Sequence, residues 1–205
     1  MKSPFLFRIL TRMVAAPMIT VGVSATHAAA QAPVDYARAD VDFMQGMIHH
    51  HAQALVMAAM ASTHGASEKV ILLCKKITIS QRDEIGFMQG WLKDRSQVAP
   101  DPRDAHFGDM PGMPGMKMMM PGMVSDEQLK TLDQAKGVDF DRFFLTGMIQ
   151  HHQGALKMVA DLAASPGGGQ QADLFRFVTD VNADQTAEIG RMQQMLNTSS
   201  GSKSQ

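Results

Sequence analysis

Residues Gly46–Met57 read GMIHHHAQALVM, and Gly147–Met158 read GMIQHHQGALKM. The two stretches align without a gap at an offset of 101, with Gly46, Met47, Ile48, His50, His51, Ala54, Leu55 and Met57 identical to their counterparts. Upstream, Asp40 pairs with Asp141 and Phe43 with Phe144. Downstream, Gln81–Leu92 (QRDEIGFMQGWL) matches Gln185–Leu196 (QTAEIGRMQQML) at an offset of 104. The three-residue change of offset places a loop between the two elements of each half. The chain is therefore a duplicated two-element unit, and such a repeat decides the fold before any local propensity does.

Each element reads as a helix. On a 100° wheel Asp40, Phe43, Met47, His50, His51, Ala54, Met57 and Ala58 share one broad face, and His49 points away towards solvent. The pattern predicts helices over about 37–62, with His64-Gly65 as the stop, and over 67–94. A third long helix is expected from Asp139 as N-cap to the Ser165–Gly169 break, and a fourth over 171–196. Ser125 and Gln128 form the signature of a capping box for a short helix to about Ala135. The expected fold is all-α, a four-helix bundle of two helical hairpins (37–95 and 125–196) joined by a long Met-rich connection (96–124) and ending in a polar tail (197–205).

The connection has no helical or strand pattern. Its core, Met110–Met123, reads MPGMPGMKMMMPGM, half of it methionine and most of the rest proline and glycine. Such a density of Pro and Gly excludes a regular helix. The spacing of Met110, Met113, Met116, Met120 and Met123 lets a flexible segment wrap a soft ion.

The N-terminus has a different purpose. Lys2, Arg8 and Arg12 precede an apolar run, Met13–Val23, and the small residues Ala28-Ala29-Ala30. This is the layout of a signal peptide over residues 1–30. A bilayer span needs about 20 apolar residues, and this run is shorter. Export to the periplasm or beyond is expected, leaving a single bundle domain over 31–205 with no membrane attachment.

Composition narrows the chemistry. The net charge of -1 gives no basic stripe for nucleic acid. The single cysteine, Cys74, forbids an internal disulfide or a thiolate cluster, and it has no counterpart in the repeat, which suits a small core residue. Against that stand 19 methionines and 8 histidines. Imidazole binds copper, zinc, iron and nickel, whereas thioether sulfur selects copper(I). Met47–His51 and Met148–His152 stand one helical turn apart, and His50–Met57 and His151–Met158 two turns apart. On the second helix of each half, Glu84–Met88 and Glu188–Met192 repeat a one-turn spacing. The candidate ligands are Met47, His50, His51, Met57, Met88, Met148, His151, His152, Met158 and Met192, with the five loop methionines. The competing role for methionine at helical spacing is plain core filling, and Glu84 and Glu188 serve equally well as salt-bridge partners. No Glu-x-x-His pair, nucleophile elbow or phosphate loop is present, so no enzyme is expected.

The pattern D-x-x-F-x-x-G-M-I-x-H-H-x-x-A-L-x-M followed by Q-x-x-E-I-x-x-M resembles the bacterial "domain of unknown function 305" family over roughly 34–196. The resemblance implies a ferritin-like bundle of exported proteins, some of them periplasmic copper-binding proteins that protect against copper and silver. The expectation is a copper(I) binder, also accepting silver(I), that sequesters or carries the ion and works with a copper-transfer partner. The alternative is a metal-independent module whose methionine loop docks a protein. A weaker third reading is a copper redox enzyme.

Overall fold

Several helix boundaries in the computed structural model have a local cause. The structure describes residues 35–103, 109–110, 113–117 and 119–201; the expected signal peptide lies outside them. Helix α1 spans Arg38–Met60, and the Asp40 carboxylate accepts from the Ala37 N–H at 2.9 Å. The chain turns at His64-Gly65, where Gly65 takes φ +66°, a conformation that favours glycine. Helix α2, Glu68–Asp94, is capped by Ser67. Helix α3, Asp126–Gln134, starts on the expected capping box: Gln128 N–H donates to Ser125 Oγ and Ser125 N–H to Gln128 Oε1. Helix α4, Gly137–Ala164, and helix α5, Ala172–Gly201, complete the set.

Three expectations need correction. Helix α4 begins before Asp139, because the Gly137 N–H donates to the His64 carbonyl at 2.8 Å and pins the turn there. Asp139 lies in the first turn, where its charge suits the helix dipole. Residues 197–201 are helical rather than a tail, because no glycine or proline interrupts α5 after Gly190. The connection also holds a short antiparallel ladder, strand β1 (Asp109–Met110) with β2 (Met113–Lys117). In a two-strand ladder every strand is an edge, where a proline such as Pro114 is tolerated.

The long helices form two hairpins, α1 on α2 and α4 on α5, and the hairpins meet through α1 and α4. The repeated aspartates tie them together. Asp141 on α4 accepts from the Ser67 N–H that opens α2, and Asp40 on α1 accepts from the Gly169 N–H before α5, at 2.7 Å. Equivalent residues thus make equivalent cross-links, which gives the bundle an approximate twofold axis. Two apolar clusters fill it. One holds Met57, Met148, Met192, Phe140 and Phe144; the other holds Met47, Met88, Phe43, Trp91 and Leu92. His50, His51, His151 and His152 fall between them along α1 and α4. Cys74 is buried in the first cluster, and burial together with the Asp141 charge pushes its thiol up to about 12, which makes it an inert core residue. Among the described residues no helix is long and apolar enough to cross a membrane.

Candidate metal centre

The four repeated histidines meet where α1 crosses α4. All four are fully buried. The rings of His50 and His151 lie 3.8 Å apart between centroids, and each half repeats one internal geometry: His50 to His51 and His151 to His152 are both 6.2 Å. Every Nε2 has an acceptor. His51 Nε2 donates to Glu84 Oε2, and His152 Nε2 donates to Glu188 Oε2 at 2.7 Å. His151 Nε2 donates to the His50 carbonyl at 2.8 Å, and His50 Nε2 to the Pro121 carbonyl at 3.0 Å.

Every Nδ1 lacks a partner. The atoms His50 Nδ1, His51 Nδ1, His151 Nδ1 and His152 Nδ1 are buried with no hydrogen bond. Because a carbonyl only accepts, His50 and His151 carry their proton on Nε2 and leave a bare lone pair on Nδ1. Burial, then the neighbouring imidazole of His51, pushes the His50 pKa down to about 3, although the Pro121 bond opposes this. Burial holds His151 well below the ordinary range as well, with the other three imidazoles acting in the same direction. Both rings are neutral at pH 7. Burial alone would raise the Glu84 carboxyl, but the His51 bond and charge and the Ser80 hydroxyl hold it below its usual value. An imidazole whose far nitrogen is held by a carboxylate or carbonyl while the near one is bare has the arrangement of a metal ligand with its supporting shell.

Among the described residues no three His, Cys, Asp or Glu side chains converge on one point as a metal cluster. Met47, Met57, Met88, Met148 and Met192 are fully buried, and Met123 nearly so, whereas Met158 and Met120 are half-buried. Met47, Met57, Met88, Met148 and Met192 all pack inside the apolar clusters. Met120 and Met158 come together: a Cβ on Gly46 would meet Met120 Sδ at 3.3 Å and Met158 Cε at 3.5 Å. The side chains of Met110, Met113 and Met116 lie outside the described residues. His49 is half-buried rather than exposed.

The end of the Met-rich connection, Met120–Val124, is a strap laid across the histidines. Gln53 grips it twice, donating to the Val124 carbonyl at 2.9 Å and accepting from the Val124 N–H at 2.8 Å. Gln150 donates to the Met123 carbonyl. Pro121 and Gly122 lie directly on Gly154, where an added Cβ would stand 1.9 Å from the Pro121 oxygen. Met120 sits over Gly46, and Val124 over the equivalent Gly147. The strap thus crosses the approximate twofold axis. The sequence held a signal for it. Two of the four positions where the two GMI motifs differ, His49/Gln150 and Gln53/Gly154, meet the strap through Gln150, Gln53 and Gly154. A Gly154→Ala variant is expected to lose about 2 kcal/mol or more, since the backbone must shift to admit the methyl group. An unchanged urea midpoint would refute that account of the strap.

The fold and centre define a duplicated helical bundle with buried imidazole and thioether groups at its middle. The chain belongs to the DUF305 family (domain of unknown function), whose model matches residues 40–196. Among solved structures, a DUF305 protein from Streptomyces coelicolor is 25% identical, with a TM-score of 0.66 and coverage of 81% of this chain and 95% of that one. A DUF305 fragment from Deinococcus radiodurans is 27% identical, with a TM-score of 0.65 and coverage of 80% and 98%. CopM in its Cu(II)-bound form is 28% identical, with a TM-score of 0.61 and coverage of 78% and 96%; it is also known in Cu(I)-bound, Ag-bound and apo forms. No curated protein matches the sequence significantly.

Proposed function

We propose that the protein is an exported copper-binding protein. It takes up copper(I), and silver(I) by the same donors, through histidine and methionine. The observation that carries this reading is the set of four buried, unpartnered Nδ1 atoms. Leaving a buried polar atom unmade costs about 1–3 kcal/mol, so four at one place are a standing cost unless an ion offsets it. Soft thioethers around them favour copper(I) over zinc(II). The ligand set is drawn from His50, His51, His151 and His152, with Met47, Met57, Met88, Met148, Met158 and Met192 of the repeated helices and the loop methionines as further donors. The proposed role is sequestration or carriage, with a partner protein receiving the ion.

The test is a copper(I) titration of the chain from Gln31 to Gln205 against a chromogenic competitor, with zinc(II) as control. Tight uptake of copper with little zinc is expected. Absence of copper uptake would remove the reading and leave a metal-independent docking module as the better account of the methionine segment.

A further inference from the structure

The two halves of the duplicated centre have different outer faces. A cavity of about 450 Å³ lies between α2 and α5. Its walls carry Asp83, Glu84, Asp173, Asp180 and Asp184 against one cation, Arg176, and the rings of Phe87 and Phe177 stack beside it at 4.6 Å. Asp173 is held by Arg95. Asp83, Asp180 and Asp184 are exposed and have no ion-pair partner among the described residues. Glu84 is the link inward: its Oε2 accepts from His51, which is itself buried and has a bare Nδ1. The cavity is therefore one hydrogen bond from the histidine centre.

The equivalent face of the other half has the opposite net charge, Lys69, Lys76 and Arg191 against Glu188 and Asp184, and Asp184 is common to both faces because it is the counterpart of Ser80. At the offset of 104, Asp173, Asp180 and Asp184 correspond to Lys69, Lys76 and Ser80, and Asp83 corresponds to Ala187. Phe87 corresponds to Arg191, whose guanidinium stands 3.8 Å from Glu188. The inner pairs, His51–Glu84 and His152–Glu188, are conserved between halves, while the surfaces over them have diverged in sign.

We propose that the α2–α5 cavity is the mouth through which metal cations reach the histidine centre, and that the basic face over Glu188 is closed to them. The proposal rests on the metal-binding reading above. A cleft lined by one sign of charge concentrates the opposite ion and raises its capture rate without changing the inner ligands. Equilibrium capacity belongs to the histidines and methionines; the rate of loading belongs to the aspartates.

The experiment is stopped-flow loading with aqueous copper(II), which favours imidazole over thioether. Loading is followed by quenching of Trp91, the single tryptophan, with copper content checked after gel filtration. The variant D83N/D180N/D184N is expected to load about tenfold more slowly at low ionic strength and to lose most of its salt dependence. Its final copper content is expected to equal that of the parent. The control K69Q/K76Q, on the opposite face, is expected to load within about twofold of the parent. A triple variant that loads at the parental rate overturns the mouth while leaving the metal reading intact. A control that changes the rate as much as the triple variant also overturns it, since net charge alone would then account for the effect. A parent protein that takes up no copper(II) overturns the mouth, and one that also takes up no copper(I) in the competition titration overturns both.

Discussion

Acidifying the metal-free protein from pH 7 to pH 5 is expected to cost about 2 kcal/mol through His50 alone. In the unfolded chain this imidazole takes a proton near pH 6.5, whereas in the fold its pKa is pushed down to about 3. Between those values the unfolded state binds more protons, so stability falls as pH falls. Burial of His151 shifts it the same way and adds to the loss. Glu84, held below its usual value, adds a further loss only when the pH drops through the carboxylate range. For a domain of this size the His50 contribution corresponds to a melting temperature lower by roughly 4–8 °C. Thermal melts at the two pH values check this, and coincident melts would show that the imidazoles are solvated and not buried as described.

His51→Leu is expected to destabilise the fold by about 3 kcal/mol or more, because it strands the Glu84 carboxylate without its imidazole donor. Its removal leaves Glu84 with the Ser80 hydroxyl and a surface of aspartates. His152→Leu strands Glu188 in the same way, but Arg191 stands 3.8 Å away and can move closer. The first variant is therefore expected to lose more than the second. Replacing both members, His51→Leu with Glu84→Leu, is expected to recover most of the loss. Urea unfolding of the four variants measures the order, and a His152→Leu variant at least as unstable as His51→Leu would contradict the difference between halves.

The helices and the histidine face were legible because duplication writes the same helical period twice. Asp40, Phe43, Met47, His50 and His51 all fell on the face that the structure buries. The supporting groups were less legible. Glu84 and Glu188 were visible as repeated carboxylates, but their spacing to histidine runs across helices and has no signature along the chain. The strap was hidden for a different reason: its contacts use the carbonyls of Pro121 and Met123 and both backbone groups of Val124, which every residue has. Only the receiving side chains, Gln53 and Gln150, and the bare Gly154 carry its imprint. The helical extension to Gly201 was missed because Asn197–Ser200 is polar, and polarity does not end a helix that nothing interrupts.

The strap across the twofold axis can exist only once. Two separate copies of one hairpin, paired as equals, would each bring a segment to the same position on the axis, and there is room for one. Joining the copies end to end makes the connecting segment unique, so it can occupy the axis without a rival. Two like halves joined by a single segment can be unlike where they meet it, as glutamine at 53 and glycine at 154 are, and the linker becomes part of what they enclose.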